Sequence, residues 1–252
     1  MPRLALVSNV GGCGRTSLVA HLARAFVEQG RRVLALECDP ANLLGLHLGL
    51  AQAPEVGWAS AHLAGQDWDA AAWQNSEAIA FLPFGEVACD QLTVLESMLR
   101  AAPRWLAERL EAQPGLGDAL VLFDTPPWPA ALACQAVAAA DFVLVVLEAE
   151  GRAWVQWPIL QESLAARACP YAVLVNRLDS GLPLERDCLT VLQHQLGERF
   201  VPYPVHRDEA VRLAFAQCVS LWDAYPHSQA RRDIAGVATW LAAQAALAGG
   251  VP

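Results

Sequence analysis

Short apolar runs alternate along this chain with segments whose apolar residues recur every three or four positions. Uninterrupted runs of this length are typical of strands buried on both faces of a parallel sheet. Six runs predict strands and the last is a weaker candidate: Leu4–Val7, Val33–Leu36, Ile79–Leu82, Ala119–Phe123, Phe142–Leu147, Ala172–Val175 and Phe200–Tyr203. The alternation predicts an α/β fold, with three α/β/α layers around a mostly parallel twisted sheet.

The helical pattern is clearest directly after the first strand. Leu18, Leu22 and Phe26 are spaced four residues apart within the segment 16–29, and Gly30 is placed to end a helix. A glycine-rich segment therefore lies between a strand and a helix. In open α/β sheets ligands bind at the carboxyl ends of the strands, so every strand end is a candidate site.

Length and composition favour a single soluble unit over residues 1–252. The chain is 55% hydrophobic and has a net charge of −9, with no run of Lys or Arg. This balance argues against a nucleic-acid surface. No apolar stretch reaches about 18 residues and no signal peptide is evident, so we expect a cytoplasmic protein.

The seven cysteines are odd in number and scattered, without a C-x-x-C pair. This spacing predicts reduced thiols rather than disulfides or a metal site. A cluster bridged across a dimer by Cys89 and Cys134 is an alternative that would make the chain an iron–sulfur reductase. An ATP-dependent ligase on the same fold is a related alternative.

The segment Ser8–Ser17 has the composition of a phosphate-binding loop. Gly11, Gly12 and Gly14 allow positive φ angles and a close approach of the backbone to a ligand. The helix that begins near Thr16 adds unpaired N–H groups and the positive end of its dipole. A glycine-rich turn that only serves packing is the alternative.

This loop departs from the common pattern G-x-x-x-x-G-K-[ST]. Thr16 keeps the hydroxyl that holds Mg²⁺, but Arg15 replaces the lysine and Asn9 replaces the first glycine. Arginine keeps the positive charge and meets phosphate with a different geometry. The pattern predicts phosphate binding and leaves catalysis in question.

Carboxylates end two of the predicted strands. Glu37 and Asp39 follow the second strand two residues apart, and Asp124 ends the strand before Pro126. Each can orient a water or the hydration shell of Mg²⁺. The alternative for Asp39 and Asp124 is a turn or a helix cap.

A third strand ends in Asn176, Arg177 and, after Leu178, Asp179. The amide of Asn176 suits the edge of a nucleotide base, and Asp179 can accept from two N–H groups of guanine. A simple turn is the alternative for both.

Taken together, Gly11–Ser17, Glu37–Asn42, Asp124–Pro127 and Asn176-Arg177 resemble, in order and spacing, the MinD/ParA group of deviant phosphate-loop ATPases. The resemblance covers most of the chain and implies a phosphate-loop NTPase fold. Further blocks are similar to the members of this group that act in bacterial cellulose secretion: Asn42–Leu46, Gly57-Trp58, Gly65–Trp68, Leu82–Gly85 and His206–Ala210.

The resemblance implies that ATP and Mg²⁺ bind here. It assigns nucleotide contacts to Gly11, Gly12, Cys13, Gly14, Arg15, Thr16, Ser17, Asn176, Arg177, Val205, His206 and Asp208. It assigns catalytic roles to Asp39, which polarises water, and to Arg15 at the lysine position. The metal shell is assigned to Thr16, Asp39 and Asp124, while Glu37 stands where relatives usually have aspartate.

In this group two subunits close face to face around two nucleotides, and each gives a lysine to the other's phosphates. Val10 occupies that lysine's position and carries no charge. A cation supplied in trans is worth about 10³–10⁵ in rate in related chemistry, so we expect slow or negligible hydrolysis. Arg152, after the strand Phe142–Leu147, is a candidate to reach across the dimer, or else a solvated helix start.

The expected function is therefore a homodimeric ATP-binding regulator or assembly subunit. Its expected partners are other cellulose-secretion subunits, including a small regulatory partner and the synthase complex, which recruit it to the inner membrane or the cell pole. The alternatives are a nucleotide-locked structural scaffold and a guanine-specific NTPase switch.

Two apolar features have core packing as the favoured interpretation. Within the segment 228–247, Ile234, Val237, Trp240 and Leu241 form one stripe, without the further cations of a membrane-binding helix. Trp58, Trp68 and Trp73 cluster after the second strand, where burial is favoured over a partner surface.

Overall fold

A computed structural model describes residues 1–244 and 247 of the chain. A single seven-stranded sheet lies in the order β3-β4-β2-β5-β1-β6-β7, and only the β3–β4 pair is antiparallel. The strands are β1 Arg3–Val7, β2 Val33–Glu37, β3 Trp73–Gln74, β4 Ala80–Leu82, β5 Leu120–Asp124, β6 Phe142–Leu147 and β7 Tyr171–Val175. The predicted fold class is confirmed.

Helices cover both faces of the sheet. They are α1 Arg15–Glu28, α2 Leu44–His47, α3 Trp58–Leu63, α4 Cys89–Ala101, α5 Trp105–Glu111, α6 Ala131–Ala139, α7 Gly151–Ala165, α8 Pro183–Leu196, α9 Glu209–Ala216, α10 Leu221–Ala224 and α11 Gln229–Ala242. Alternate residues of β1 belong to different cores, with Leu4 and Leu6 in one and Ala5 and Val7 in the other. The sheet is therefore buried on both sides, as its uninterrupted apolar strands predict.

The strand order brings the candidate site residues to one edge. Strand β1 lies between β5 and β6, and β5 also pairs with β2 so that Glu37 is opposite Asp124. The loop after β1 therefore lies beside the carboxyl ends of β2 and β5.

One predicted strand is absent, and one observed strand was not predicted. The segment 200–203 is not a strand: Phe200 forms an isolated parallel bridge with Val173, and the next bridge, between His206 and Leu178, lies beyond the segment. Pro202 and a proline at position 204 have no N–H to donate, which prevents a continuous ladder. The two-residue strand β3 was not predicted, because two residues carry no detectable period.

Several of the blocks behind the resemblance meet in one place. Asn42, at φ 55°, donates to the carbonyl of Pro54 at 2.7 Å and accepts from the N–H of Gly85 at 3.2 Å. A Cβ on Gly57 would lie 2.3 Å from the nitrogen of Gly85, so both glycines are required by close backbone packing. These residues tie the segment after β2 to the segment after β4.

Most of the apolar residues in the tryptophan cluster and in the C-terminal stripe are buried. Trp58 and Trp68 are buried in an aromatic cluster with Trp105, whereas Trp73 is exposed. On α11 the stripe residues Ile234, Val237 and Leu241 are buried, and α11 packs on α1; residues 245 and 246 of the predicted segment lie outside the described chain. Within the described ranges, no helix combines the length and apolar character needed to cross a bilayer. All seven cysteines are free thiols.

Candidate nucleotide site

The loop after β1 has the geometry of an anion-binding turn. Gly12 and Gly14 have φ angles of 80° and 89°, which favour glycine over residues with a side chain. Gly14 precedes α1 without a side-chain cap, so the first N–H groups of this helix stay open to a ligand. A helix start without a cap, at the end of a glycine-rich loop, is suited to phosphate.

The two positions at which this chain lacks a lysine of the MinD/ParA pattern, Arg15 and Val10, are both buried. Arg15 is 6% exposed and its guanidinium donates to the carbonyl of Ser8 at 2.9 Å. Val10 is also 6% exposed and lies with Cys13 and Leu147 around a small void. The cation at the lysine position therefore braces the loop from within.

Asp124 has the environment expected of a residue beside a metal shell. It is fully buried, and neither carboxylate oxygen has a hydrogen-bond partner among the described residues. Burial raises the pKa of Asp124 to about 7, Asp39 adds to this rise, and the nearby Thr16 hydroxyl and Arg15 guanidinium oppose it. An unpaired buried carboxyl beside Thr16 fits the hydrated Mg²⁺ that such loops hold.

Asp39 and Glu37 play different parts at the neighbouring strand end. Asp39 is half-buried and accepts from the N–H of Ala41 at 3.0 Å, so the turn interpretation describes its contact in this structure. Glu37 is fully buried and accepts from the N–H of Leu44 at 2.8 Å, at the start of α2. Burial raises the pKa of Glu37 to about 8, and Asp124 adds to the rise. Its extra methylene lets Glu37 hold a helix as well as face Asp124.

Asn176 and Arg177 clamp the phosphate loop from the end of β7. Asn176 is buried and its Nδ2 donates to the carbonyl of Cys13 at 2.7 Å. Arg177 donates to the carbonyl of Gly12 and pairs with Glu148 at 3.2 Å. A Cβ on Gly14 would lie 2.5 Å from this amide nitrogen, so the glycine makes the clamp possible.

A cavity of about 500 Å³ extends from the start of α1. Seven of the predicted contact residues line it: Gly14, Ser17, Asn176, Arg177, Val205, His206 and Asp208. The other predicted residues lie on the loop itself or at the ends of β2 and β5. A cavity of this size is typical of small-molecule sites.

The segment predicted to close over a base is held by its own contacts. Val205 is buried and donates to the carbonyl of Val175 at 2.9 Å, while His206 hydrogen-bonds Asp233 through Nδ1 at 2.8 Å. Asp208 accepts from the N–H of Ala210 at 2.9 Å and from the hydroxyl of Ser228 at 2.7 Å. Asp208 is thus primarily a helix cap at the cavity wall.

Asp179 does not lie at the cavity. Its Oδ1 accepts from the N–H of Gly181 at 3.0 Å in a turn, and it is not part of the cavity wall. The turn interpretation describes this residue.

Sequence reasoning missed part of the cavity wall: His21, Leu43, His47, Glu148, Arg207, Val211, Arg212 and Phe215. The amphipathic spacing of Val211 and Phe215 after the block His206–Ala210 was a usable signal. His47 had none, because its contact with α9 is set by the tertiary fold.

The comparisons with known proteins agree with this geometry. The family model described as cellulose biosynthesis protein BcsQ matches residues 1–242. BcsQ of Salmonella typhimurium is 29% identical over 232 residues, covering 91% of this chain and 90% of the relative. BcsQ of Escherichia coli K12 is 25% identical over 237 residues, covering 91% and 90%.

Solved structures show the same fold. MinD from Pyrococcus horikoshii OT3, complexed with Mg-ADP, has a TM-score of 0.76 at 20% identity and 94% coverage of both chains. Cobyrinic acid a,c-diamide synthase from Mycobacterium smegmatis, with bound ADP and magnesium, has a TM-score of 0.76 at 24% identity, covering 94% of this chain and 92% of its own. With a family match across nearly its whole length and this fold, the chain belongs to the BcsQ family of cellulose biosynthesis proteins.

Proposed function

We propose that this protein binds ATP with Mg²⁺ and acts as a MinD/ParA-type regulatory or assembly subunit of the cellulose synthase machinery, as a nucleotide-dependent homodimer. The observation that carries the proposal is the unpaired, buried carboxylate of Asp124 beside Thr16, under a glycine loop that opens into a nucleotide-sized cavity. Relatives of the same fold have been crystallised with ADP and magnesium.

Different residues would bind different parts of the nucleotide and its metal ion. The N–H groups of residues 11–17 and the Arg15 guanidinium would hold the phosphates. Thr16 would ligate Mg²⁺, with Asp39 and Asp124 ordering its waters; the ion, when bound, neutralises phosphate charge. Neither carboxylate oxygen of Asp124 makes a hydrogen bond of standard geometry within the part of the chain that the structure describes, so the carboxylate is available for this task.

Adenine suits the base end better than guanine. The Nδ2 of Asn176 is used by the carbonyl of Cys13, which leaves Oδ1 as the atom for a base. An acceptor suits the amino group of adenine, whereas guanine presents an oxygen acceptor at that position. Asp179, the guanine-reading candidate, is engaged in a turn. Competition of GTP against labelled ATP tests this preference, and equal competition would contradict it.

Hydrolysis is expected to be slow. Val10 is buried and uncharged, and Arg15 donates to the loop backbone, so neither supplies a free cation to a second subunit. Arg152 is exposed and pairs with Glu150 at 3.1 Å. It remains the candidate cation for the partner's phosphates.

The test compares the single-turnover rate of ATP hydrolysis by the purified protein with that of a lysine-bearing relative. We expect a rate lower by about 10³-fold or more. A rate comparable to that of the relative, abolished by Asp39→Ala, would refute slow hydrolysis. Arg152→Ala, compared with Arg186→Ala on α8, shows whether the residual rate depends on the trans cation.

Dimerisation is supported by the surface beside the loop. Val155 and Ile159 of α7 are 74% and 65% exposed, and α7 begins next to the segment 147–150 that borders Val10. The two side chains lie one helical turn apart, so they can form part of an apolar interface. Light scattering with and without ATP and Mg²⁺ tests it; a monomer under both conditions would contradict the dimer. Recruitment to the inner membrane would then follow through the other cellulose-secretion subunits.

A nucleotide-locked scaffold is the second candidate, favoured by the buried, self-braced Arg15. A switch has to exchange or hydrolyse its nucleotide. The nucleotide content after chromatography and the exchange rate of labelled ATP distinguish the two, since a scaffold retains one nucleotide without exchange.

A further inference from the structure

An aromatic pair forms one wall of the cavity and belongs to none of the nucleotide motifs. The rings of His47 on α2 and Phe215 on α9 are stacked, with centroids 4.2 Å apart and an interplanar angle of 29°. Both side chains line the cavity. The pair joins the segment that follows Asp39 to the helix that follows the base-closing segment.

His47 also reaches the phosphate loop. Its Nε2 lies 3.4 Å from the hydroxyl oxygen of Ser17. The cavity is lined by Asn176, Gly14 and Ser17, and its wall does not include Thr16. Ser17 therefore lies on the sugar side of the loop, where the phosphate nearest the ribose would be.

The position of His47 is fixed from both directions. Helix α2 is held at its start by the carboxylate of Glu37, which accepts from the N–H of Leu44 at 2.8 Å. On the other side the ring rests on Phe215. A donor fixed in this way loses little conformational entropy when it binds a ligand.

Charge around the ring is compatible with an anion. Burial lowers the pKa of His47 to about 4, so the ring is neutral at pH 7 and offers one N–H. Three arginines, Arg177, Arg207 and Arg212, line the same cavity, with Glu148 and Asp208 as the acidic members. His21 of α1 meets His47 edge-on, and burial lowers its pKa to about 3.

We propose that His47 is a nucleotide-binding residue that donates from Nε2 to the phosphate nearest the ribose, with Phe215 as the positioning residue that holds its ring. This inference rests on the proposed nucleotide binding. The phosphate concerned is common to ADP and ATP and absent from adenosine. Loss of the contact therefore weakens both nucleotides by the same factor and leaves adenosine unaffected.

The experiment is titration calorimetry of the full chain with ADP and ATP in Mg²⁺, and competition measurements with adenosine. We expect His47→Leu to weaken both nucleotides about 10- to 100-fold, the value of one hydrogen bond to a charged group. His47→Gln keeps an N–H donor and recovers most of the affinity. Phe215→Leu lowers the affinity less, and His194→Leu, on the exposed face of α8, leaves it unchanged.

Each outcome has a separate meaning. A wild-type protein that binds neither ADP nor ATP would refute the proposed function itself. A wild-type protein that binds them, with His47→Leu binding equally well, would refute this inference alone. An equal loss for adenosine would show that His47 only shapes the wall. If His47→Leu does not fold, Phe215→Leu decides the question: affinities for ADP and ATP equal to those of the wild type would refute the inference.

Discussion

Gly14 shows how much of this site depends on the absence of a single side chain. Its φ of 89° is strained for any residue with a Cβ, and that atom would lie 2.5 Å from the amide nitrogen of Asn176. We expect Gly14→Ala to lose ATP binding while the sheet remains folded, because the substitution disturbs only the loop and its clamp. Calorimetry with ATP and far-ultraviolet circular dichroism measure the two effects.

Gly115→Ala is the matched control, because a Cβ there meets no atom within 4 Å. ATP affinity of Gly14→Ala equal to that of this control would show that the loop tolerates a side chain.

His21 makes the unliganded fold sensitive to acid. Burial lowers its pKa to about 3, so the folded protein excludes a proton that the unfolded chain binds below about pH 6.5. Stability from this residue is present above pH 6.5 and is lost as the pH falls toward 3. The loss amounts to about 2 kcal/mol at pH 5.

Between pH 7 and pH 5, we expect the free energy of unfolding to fall by about 2 kcal/mol less in His21→Leu than in the wild type. Urea unfolding at both pH values measures the difference. His194→Leu should behave as the wild type, and an equal acid loss in His21→Leu would contradict the assignment.

Residues that carry a motif were predictable from sequence, and residues placed by tertiary contacts were not. The glycines of the loop, Asn176 and Asp124 stand at strand ends that hydrophobic pattern alone locates. His47 of α2 meets Phe215 of α9 only because the tertiary fold brings both residues to the wall of one cavity. No local period encodes a contact between such distant segments.

At the scale of secondary-structure elements, helices α9 and α11 share one capping residue, Asp208. Asp208 accepts from Ala210 at the start of α9, and its other oxygen accepts from the hydroxyl of Ser228, the N-cap residue of α11. We expect Asp208→Ala to lower the free energy of unfolding by about 2 kcal/mol, because each cap is worth about 1 kcal/mol. Chemical denaturation measures this change.

Asp208→Asn keeps one acceptor and should lose less. Asp187→Ala, at an exposed position on α8, is the control and should have no effect beyond about 0.5 kcal/mol. Equal stability of Asp208→Ala and the control would refute the shared cap.

The six parallel strands were predictable as elements because each contains an apolar run. The exceptions were the two-residue β3, which was not predicted, and the segment 200–203, which was predicted as a strand and is not one. Pro202 and Pro204 remove the donors that a ladder needs, yet Val205 still reaches Val175 at 2.9 Å. An apolar run identifies a buried segment, and its backbone donors decide whether that segment becomes a strand.

Stability of the whole molecule should respond to Mg²⁺ through Asp124. Its pKa is raised to about 7, so the stability it contributes is present below about pH 4 and is lost as the pH rises through 7. Without ligand, we expect Asp124→Asn to reduce the fall in melting temperature between pH 6 and pH 8. Part of the fall in melting temperature should remain in Asp124→Asn, because the pKa of Glu37 is raised to about 8 and this carboxyl also loses its proton in that range.

The same substitution should remove the Mg²⁺-dependent part of the stabilisation by ATP. A ligand at 100 times its Kd stabilises the folded state by about 2.7 kcal/mol. Thermal unfolding in the presence of ATP, with and without Mg²⁺, measures the Mg²⁺-dependent part of the stabilisation. Asp118→Asn, on an exposed loop, is the control. An unchanged Mg²⁺ effect in Asp124→Asn would exclude this carboxylate from the metal shell.

The place of β1 in the sheet also sets the order of events during synthesis. Leu4 pairs with Leu122 of β5 and with Phe142 of β6. At about 5–20 residues per second, Phe142 is added roughly 7 to 28 s after Leu4. Throughout that interval the strand that carries the phosphate loop lacks its β6 neighbour, and it lacks β5 as well until Leu122 has been added. We therefore expect a nascent chain to bind ATP only after β6 has emerged.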